Sequence, residues 1–113
     1  MWIMVAGPYS SGAKDEAERA ANLAVMNEAA VAVFDKGHIP VIGVNMALPV
    51  IDAAGEDRYE EIMMPVSLAL ARRCDAVLRV GGASAGADDE VAVFESRGLP
   101  VFRDAAAVPP AVS

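Results

Sequence analysis

Residues 2–13 read WIMVAGPYSSGA, and this stretch decides the fold. Trp2–Ala6 is a short apolar run typical of a buried strand, and the Gly-Pro pair that follows ends it abruptly. From Lys14 to about Lys36 the apolar residues recur at helical spacing. A second apolar run, Ile39–Gly43, comes next and is predicted to be a strand. Strand, loop, helix and strand in this order predict a right-handed βαβ unit in a parallel sheet.

The alternation of strands and helices continues beyond this unit. Residues 44–55 contain Pro49 and Gly55 and are predicted to form a loop or lid with about one helical turn. Glu56–Cys74 has helical spacing, and Pro65 is predicted to kink this helix or to mark its start. Three further elements are predicted: a strand at Asp75–Val80, a short helix at Asp88–Arg97 and a strand at Leu99–Phe102. The sequence therefore predicts a three-layer α/β sandwich around a parallel sheet of four to five strands, Rossmann-like or flavodoxin-like.

The length of the chain limits its organisation. With 113 residues it fits one domain, predicted over residues 1–104, and the Pro-containing residues 105–113 are predicted to form a loosely held tail. Hydrophobic residues make up 55% of the chain, more than so small a core can absorb. The mean hydropathy is +0.35. We therefore expect a homodimer or homotetramer that buries the surplus.

Composition also bears on partners and compartment. No apolar run approaches the roughly 18–20 residues of a membrane span, and the N-terminus lacks the basic region of a signal peptide. The single cysteine, Cys74, is expected to pack in the core, which fits a reducing cytoplasm. The net charge is −7 and the Lys and Arg residues form no stripe, which argues against long nucleic acid as a partner. One His and one Cys give little support to a metal site, and no cofactor is expected.

Two strand-to-helix loops are candidates for ligand binding, because open parallel sheets bind ligands beyond the carboxyl ends of their strands. The residues expected to line a cleft there are Gly7, Pro8, Tyr9, Ser10, Ser84, Gly86 and Ala87. Both loops are rich in glycine and hydroxyl groups, as loops that cradle a phosphate or a sugar are, but neither is a P-loop or a GxGxxG fingerprint. Tight turns whose serines cap the next helix would have the same composition. Asn45 and Tyr59 could line the cleft too, or serve packing or solvent exposure.

Glu90 lies in the first turn of the predicted helix after the second loop, at the edge of the face that packs on the sheet. The helix dipole favours a carboxylate at that position without any function. In the functional interpretation the helix N-terminus keeps Glu90 ionised, and an ionised carboxylate suits a nucleophile better than a general acid. His38, the only histidine, follows Gly37 and is predicted to cap the C-terminus of the first helix.

A pattern runs through five parts of the chain: Met4–Ser10, Asn22, Gly37–Val41, Cys74–Val77 and the motif Ser84-x-Gly86-Ala87-x-x-Glu90. In this pattern, which covers nearly all of residues 2–102, the chain resembles the nucleoside 2-deoxyribosyltransferase-like superfamily. That superfamily includes deoxyribosyltransferases, nucleoside 5′-monophosphate N-glycosidases and many small uncharacterised proteins. The opening Ala-Gly-Pro and the serine-to-glutamate motif are the more specific parts of the match.

The resemblance implies that Glu90 is the nucleophile, attacks the anomeric carbon and forms a glycosyl-enzyme intermediate. It implies that Ser84 contacts the 5′ side of the sugar or a 5′-phosphate, and that a neighbouring subunit completes the pocket. Ser10 stands where the glycosidases carry an arginine that contacts the phosphate. Met4 stands in place of a tyrosine and Ser67 in place of an aspartate.

The leading hypothesis is an enzyme that cleaves or transfers the N-glycosidic bond of a nucleoside or nucleoside 5′-monophosphate, with Ser67 and Asn45 among its substrate-binding residues. The alternative is a catalytically silent module that binds a nucleotide, which Met4 and Ser67 favour. An oligomerising structural protein is the third hypothesis, and only the apolar surplus supports it.

Overall fold

Residues 1–112 are described by a computed structural model and form an all-parallel sheet flanked by α-helices. The strands are β1 (Trp2–Ala6), β2 (Ile39–Val41), β3 (Ala76–Arg79) and β4 (Val101–Phe102), in the order β2-β1-β3-β4. The α-helices are α1 (Glu16–Asp35), α2 (Gly43–Ala54), α3 (Tyr59–Ala71) and α4 (Ala85–Ser96). Two short 3₁₀ helices lie at Glu56–Arg58 and Ala105–Ala107. No helix within residues 1–112 is long and apolar enough to cross a membrane.

Both faces of the sheet are covered. Successive side chains of a strand point to opposite faces, so β1 contributes to two cores. Ile3 and Val5 belong to the cluster that includes α1, whereas Met4 packs with Phe94 of α4 on the other face, and all four side chains are fully buried. The predicted three-layer α/β sandwich is confirmed, with four strands. Cys74 is buried in the same cluster as Met4 and Phe94, as expected for a core residue.

The first βαβ unit forms as the opening stretch predicts. Asp15 caps α1, since its side chain accepts a hydrogen bond of 2.9 Å from the backbone N–H of Glu18. Gly37 follows the helix with φ of 90°, a backbone conformation that glycine adopts without strain. β2 then pairs with β1 in parallel, with Trp2 opposite Ile39.

The predicted loop or lid at residues 44–55 is wrong, because α2 spans Gly43–Ala54. Val44, Ala47 and Ile51 are buried at helical spacing, and Gly55 ends the helix with φ of 115°. Pro49 lies inside α2 and is exposed, so the carbonyl that it leaves without an N–H partner is on the solvent side. Burial of one apolar face therefore outweighs the loss of one helical hydrogen bond.

The helix predicted over Glu56–Cys74 is shorter and begins differently. A 3₁₀ turn, Glu56–Arg58, precedes α3, which ends at Ala71. Pro65 lies inside α3 on its exposed side and does not mark its start.

The tail differs most from the sequence prediction, which has residues 105–113 loosely held; the structure describes this segment up to Val112, and Ser113 lies outside the described residues. Val108 is 1% exposed and belongs to the main core. Lys36 Nζ donates to the carbonyl oxygens of Ala105 and Val108 at 2.5 and 2.6 Å. His38 is also buried, and it caps α1 through its backbone, whose N–H donates 3.4 Å to the carbonyl oxygen of Val33. Its side-chain Nε2 lies 2.7 Å from the carbonyl oxygen of Pro109. These contacts hold the tail against the C-terminus of α1.

Candidate functional site

The sheet order places the candidate site. From β1 the chain moves to β2 on one side and later to β3 on the other, so strand order reverses between β1 and β3. In doubly wound sheets, ligands bind in the crevice at the carboxyl ends of the two strands that flank such a reversal. The loops that leave β1 and β3 are the two that the sequence singles out.

These loops border a cleft of about 60 Å³, here called the inner cleft. Its lining residues are Gly7, Tyr9, Ser10, Ser11, Val44, Tyr59, Met63, Met64, Ser67, Ser84, Gly86, Ala87 and Glu90. The structure thus brings together eight of the ten residues expected at the site, from the loop after β1, from α3, and from α4 and its N-cap.

Two glycines bring the walls of the inner cleft close together. A Cβ on Gly7 would lie 2.8 Å from the carbonyl oxygen of Val80, so the first loop can approach the end of β3 only without a side chain. A Cβ on Gly86 would lie 3.3 Å from the sulfur of Met64, where α4 meets α3. The two glycines therefore allow the first loop to pack against the end of β3 and α4 to pack against α3.

Glu90 is the most unusual group in the inner cleft. It is only 8% exposed, and its carboxylate has no hydrogen-bond or ion-pair partner within residues 1–112. Burial raises its pKa from 4.5 to about 7, with a smaller rise from Asp89, and the positive charge of Arg79 offsets only part of this. Near neutral pH the carboxyl is therefore only partly ionised, whereas the sequence analysis expects the helix N-terminus to keep it ionised.

Arg79 shapes the approach to Glu90, and the sequence analysis does not identify it. Its guanidinium donates to the carbonyl oxygens of Val80 and Gly82 and contacts Asp88 at 3.4 Å. It therefore fixes the loop between β3 and α4. A basic residue at the end of an apolar strand is the sequence signal that points to it.

The serines of the inner cleft have distinct environments. Ser84 caps α4, accepting 3.1 Å from the backbone N–H of Ala87, and it also accepts 3.3 Å from the hydroxyl of Ser11. Capping, one of the two interpretations of this loop, is thus present in the structure. Ser67 is 2% exposed, and its hydroxyl makes no hydrogen bond to another of the described residues.

Two predicted site residues lie outside the inner cleft. Pro8 is buried beside Gly81, on which a Cβ would meet the proline ring at 2.8 Å. Asn45 is exposed on α2 and donates 2.9 Å to the side chain of Asn27. It lines a separate apolar groove with Trp2. The expectation that Asn45 faces the cleft is wrong, because Asn45 lies on the exposed face of α2, whose opposite face is buried.

The inner cleft adjoins a larger depression of about 450 Å³, here called the outer trough. Its lining residues are Tyr9, Ser10, Glu16, Arg19, Leu48, Asp52, Glu56, Tyr59 and Glu60. Tyr9, Ser10 and Tyr59 line both spaces, and the Tyr59 hydroxyl donates 3.2 Å to Ser10 Oγ. Burial raises the pKa of the Tyr9 phenol, and Glu16 adds to the rise, so this hydroxyl keeps its proton at neutral pH.

No protein-family model matches the chain, and no curated protein matches it. Within residues 1–112, no three His, Cys, Asp or Glu side chains lie close enough together to hold a metal ion.

Proposed function

We propose that this chain cleaves or transfers the N-glycosidic bond of a nucleoside or nucleoside 5′-monophosphate, with Glu90 as nucleophile. One observation carries the proposal: Glu90 is nine-tenths buried, without a protein partner, and lines a cleft at the strand-order reversal. A carboxyl that is largely removed from water and has no protein partner costs stability, and functional sites are where such groups concentrate.

The chemistry is a double displacement. The Glu90 carboxylate attacks the anomeric carbon while the bond from that carbon to the base breaks, and the base leaves with the bonding electrons and takes up a proton. Water or a second base then attacks the same carbon and displaces Glu90, as in retaining glycosidases. The Tyr9 phenol, protonated and lining the same cleft, is a source of the proton that the base requires.

The dimensions of the site support a ligand that occupies both spaces. The inner cleft, at about 60 Å³, is well below the ~300–1,000 Å³ of sites that enclose a whole small molecule. Only the reacting part of a nucleoside fits there, next to Glu90. The rest extends past Tyr9 and Tyr59 into the outer trough.

The proposal includes membership of the nucleoside 2-deoxyribosyltransferase-like superfamily. The two loops of the resemblance, and the glutamate in the first part of the last helix, line one cleft. Met4 belongs to β1, and its side chain is fully buried with Phe94 of α4, so it does not replace the family tyrosine in the cleft, whereas Tyr9 lines the cleft.

A silent nucleotide-binding module is the second candidate. It is favoured by Ser67, which offers a hydroxyl instead of a carboxyl, and by the raised pKa of Glu90, which lowers the fraction of the nucleophilic form at neutral pH.

We also propose that the chain assembles as a homodimer or homotetramer in the cytoplasm. Trp2, Ile39 and Met46 are each about half exposed around an apolar groove of about 350 Å³. Burying such a surface against another copy is the usual way to remove it from water. Light scattering at micromolar concentration should show more than the 11.7 kDa of one chain, and a stable monomer would contradict this.

The decisive experiment is a chromatographic screen of nucleosides and 5′-monophosphates for released base. Glu90→Gln should lower the rate by several orders of magnitude while affinity changes by less than about tenfold, because the lost interaction belongs to the transition state. Glu95→Gln, on the exposed side of the same helix, is the matched control and should leave the rate unchanged. If the wild type binds a nucleoside in calorimetry but releases no base from any substrate, the silent module is correct.

A further inference from the structure

The outer trough has an unbalanced charge. Asp52, Glu56 and Glu60 line it from the end of α2, the 3₁₀ turn and the start of α3. All three are exposed, and none forms a salt bridge within residues 1–112. Glu16 also faces the trough but is paired with Arg19 at 2.7 Å. Three carboxylates therefore remain without a counter-charge on one concave surface.

A concave surface lined by charges of one sign concentrates their field. Ligands of opposite charge are enriched there and ligands of the same charge are repelled, over about one Debye length, roughly 8 Å at physiological salt. The net charge of −7 does not offset the local excess. A phosphate or carboxylate group held in the outer trough would be repelled by all three side chains.

The carboxylates are spread along the outer trough and do not converge. No metal-binding group of three side chains is present among residues 1–112, in the trough or elsewhere. The arrangement suits an extended ligand with several hydrogen-bond donors better than a small cation that needs many oxygen ligands at one point.

Two aromatic rings stand where the trough meets the inner cleft. Tyr9 and Tyr59 line both spaces, and the hydrogen bond from Tyr59 to Ser10 fixes one of them. Aromatic faces attract planar rings and, more strongly, planar cations and amino groups. Glu90, buried and without a partner in the adjoining cleft, indicates independently that a ligand reaches this place.

We infer that the outer trough binds the planar, amino-bearing or cationic end of the ligand and rejects an anionic one, with Asp52, Glu56 and Glu60 as the residues that set this preference. For the proposed enzyme this means nucleosides whose base carries an exocyclic amino group. The inference rests on the proposed function only in joining trough and inner cleft into one nucleoside site.

Benzamidinium and benzoate provide a test that needs no nucleoside, since they are planar rings of similar size and opposite charge. Calorimetry should show at least about tenfold tighter binding of benzamidinium to the wild type. The triple variant Asp52→Asn/Glu56→Gln/Glu60→Gln should weaken that binding by about tenfold, as three exposed charge interactions of ordinary size would together give. Salt at about 0.5 M should weaken it in the wild type and have little effect in the triple variant.

The matched control is Asp35→Asn/Glu28→Gln/Glu95→Gln, which removes the same three charges from exposed positions outside the trough. It should change benzamidinium binding by less than about twofold. Equal weakening in both triple variants would mean that only net charge matters, and no preference over benzoate in the wild type would mean that the trough selects nothing. Either result overturns the inference.

Cytidine and orotidine then separate this inference from the proposed function, because one carries an amino group on its base and the other a carboxylate. Cytidine should bind more tightly to the wild type, and the trough variant should narrow the ratio about tenfold. If both nucleosides bind, and the trough variant has the same ratio of cytidine affinity to orotidine affinity as the wild type, the trough assignment fails and the proposed function stands. If benzamidinium behaves as expected but no nucleoside binds or reacts, the proposed function fails and the trough assignment stands.

Discussion

His38 Nε2 lies 2.7 Å from the carbonyl oxygen of Pro109, a contact that joins the start of the second strand to the last part of the chain. The imidazole is 3% exposed, so this hydrogen bond forms away from water. Beside it, Lys36 Nζ donates to the carbonyl oxygens of Ala105 and Val108. These bonds hold the tail in place, and Val108 packs in the core cluster to which α1 contributes.

Val108→Ala should lower the free energy of unfolding by about 2 kcal/mol, because the side chain is fully buried and its removal leaves a cavity. Urea unfolding followed by circular dichroism would measure the change. Val112→Ala, four residues on and 99% exposed, is the matched control and should stay within about 0.5 kcal/mol of the wild type. Equal effects of the two variants would contradict the docked tail.

Stability should depend on pH through Glu90. Its pKa in the folded state, about 7, lies above the ordinary 4.5, so between these values the folded state binds more protons than the unfolded state. Protonated Glu90 makes its full contribution to the free energy of unfolding below about pH 4.5, and this contribution is lost as pH rises through 7. Relative to Glu90→Gln, the wild type should lose on the order of 3 kcal/mol over this range. If the free energies of unfolding of the two proteins differ by the same amount at pH 5 and at pH 8, the pKa of Glu90 is not raised.

The rate of base release should rise with pH if Glu90 is the nucleophile. Only the carboxylate attacks, so kcat/KM should increase up to about tenfold per pH unit well below 7 and level off above it. Stopped assays of a reactive nucleoside between pH 5 and 9 would give the profile. A rate that falls on passing through pH 7 would instead assign Glu90 as a general acid.

Gly43→Ala should destabilise the protein by about 1–3 kcal/mol, since the added Cβ would lie 2.5 Å from Ser67 Oγ and 3.1 Å from its Cα, where α2 packs against α3. Gly82→Ala is the control, because a Cβ there meets nothing within 4 Å. Thermal unfolding of both variants makes the comparison. If Gly43→Ala melts with the wild type, the two helices are not as closely packed as the structure has them.

The sequence predicts the fold well where one signal dominates. The apolar run of β1, the helical spacing up to Asp35 and the glycine after it agree, and all three appear in the structure. The prediction for residues 44–55 is wrong because Pro49 and Gly55 indicate a loop, whereas the apolar spacing of Val44, Ala47 and Ile51 is that of a helix. Packing of that face against α3 decides the outcome, and no local rule contains it.

The candidate site, like the fold, is predicted by the sequence only in part. That the two loops meet is predictable, because both leave parallel strands at one edge of the sheet. The protonation of Glu90 is not, because it depends on how completely α3 and the loops exclude water from the carboxyl. The tail is mispredicted for a similar reason: Pro109 and Pro110 are typical of a loose end, whereas Val108 belongs to the main core and its carbonyl oxygen accepts from Lys36, 72 residues earlier in the chain.

The hydroxyls of Ser11 and Ser84 meet at 3.3 Å although 73 residues separate them in sequence. The two loops come together only when the protein is folded. A ligand that contacts both loops therefore binds the native state and not the unfolded chain. Mass action then couples occupancy to melting: a ligand at about 100 times its Kd adds about 2.7 kcal/mol, several degrees for a chain of this size. Thermal-shift screening of nucleoside libraries would reveal the natural ligand whether or not any bond is cleaved.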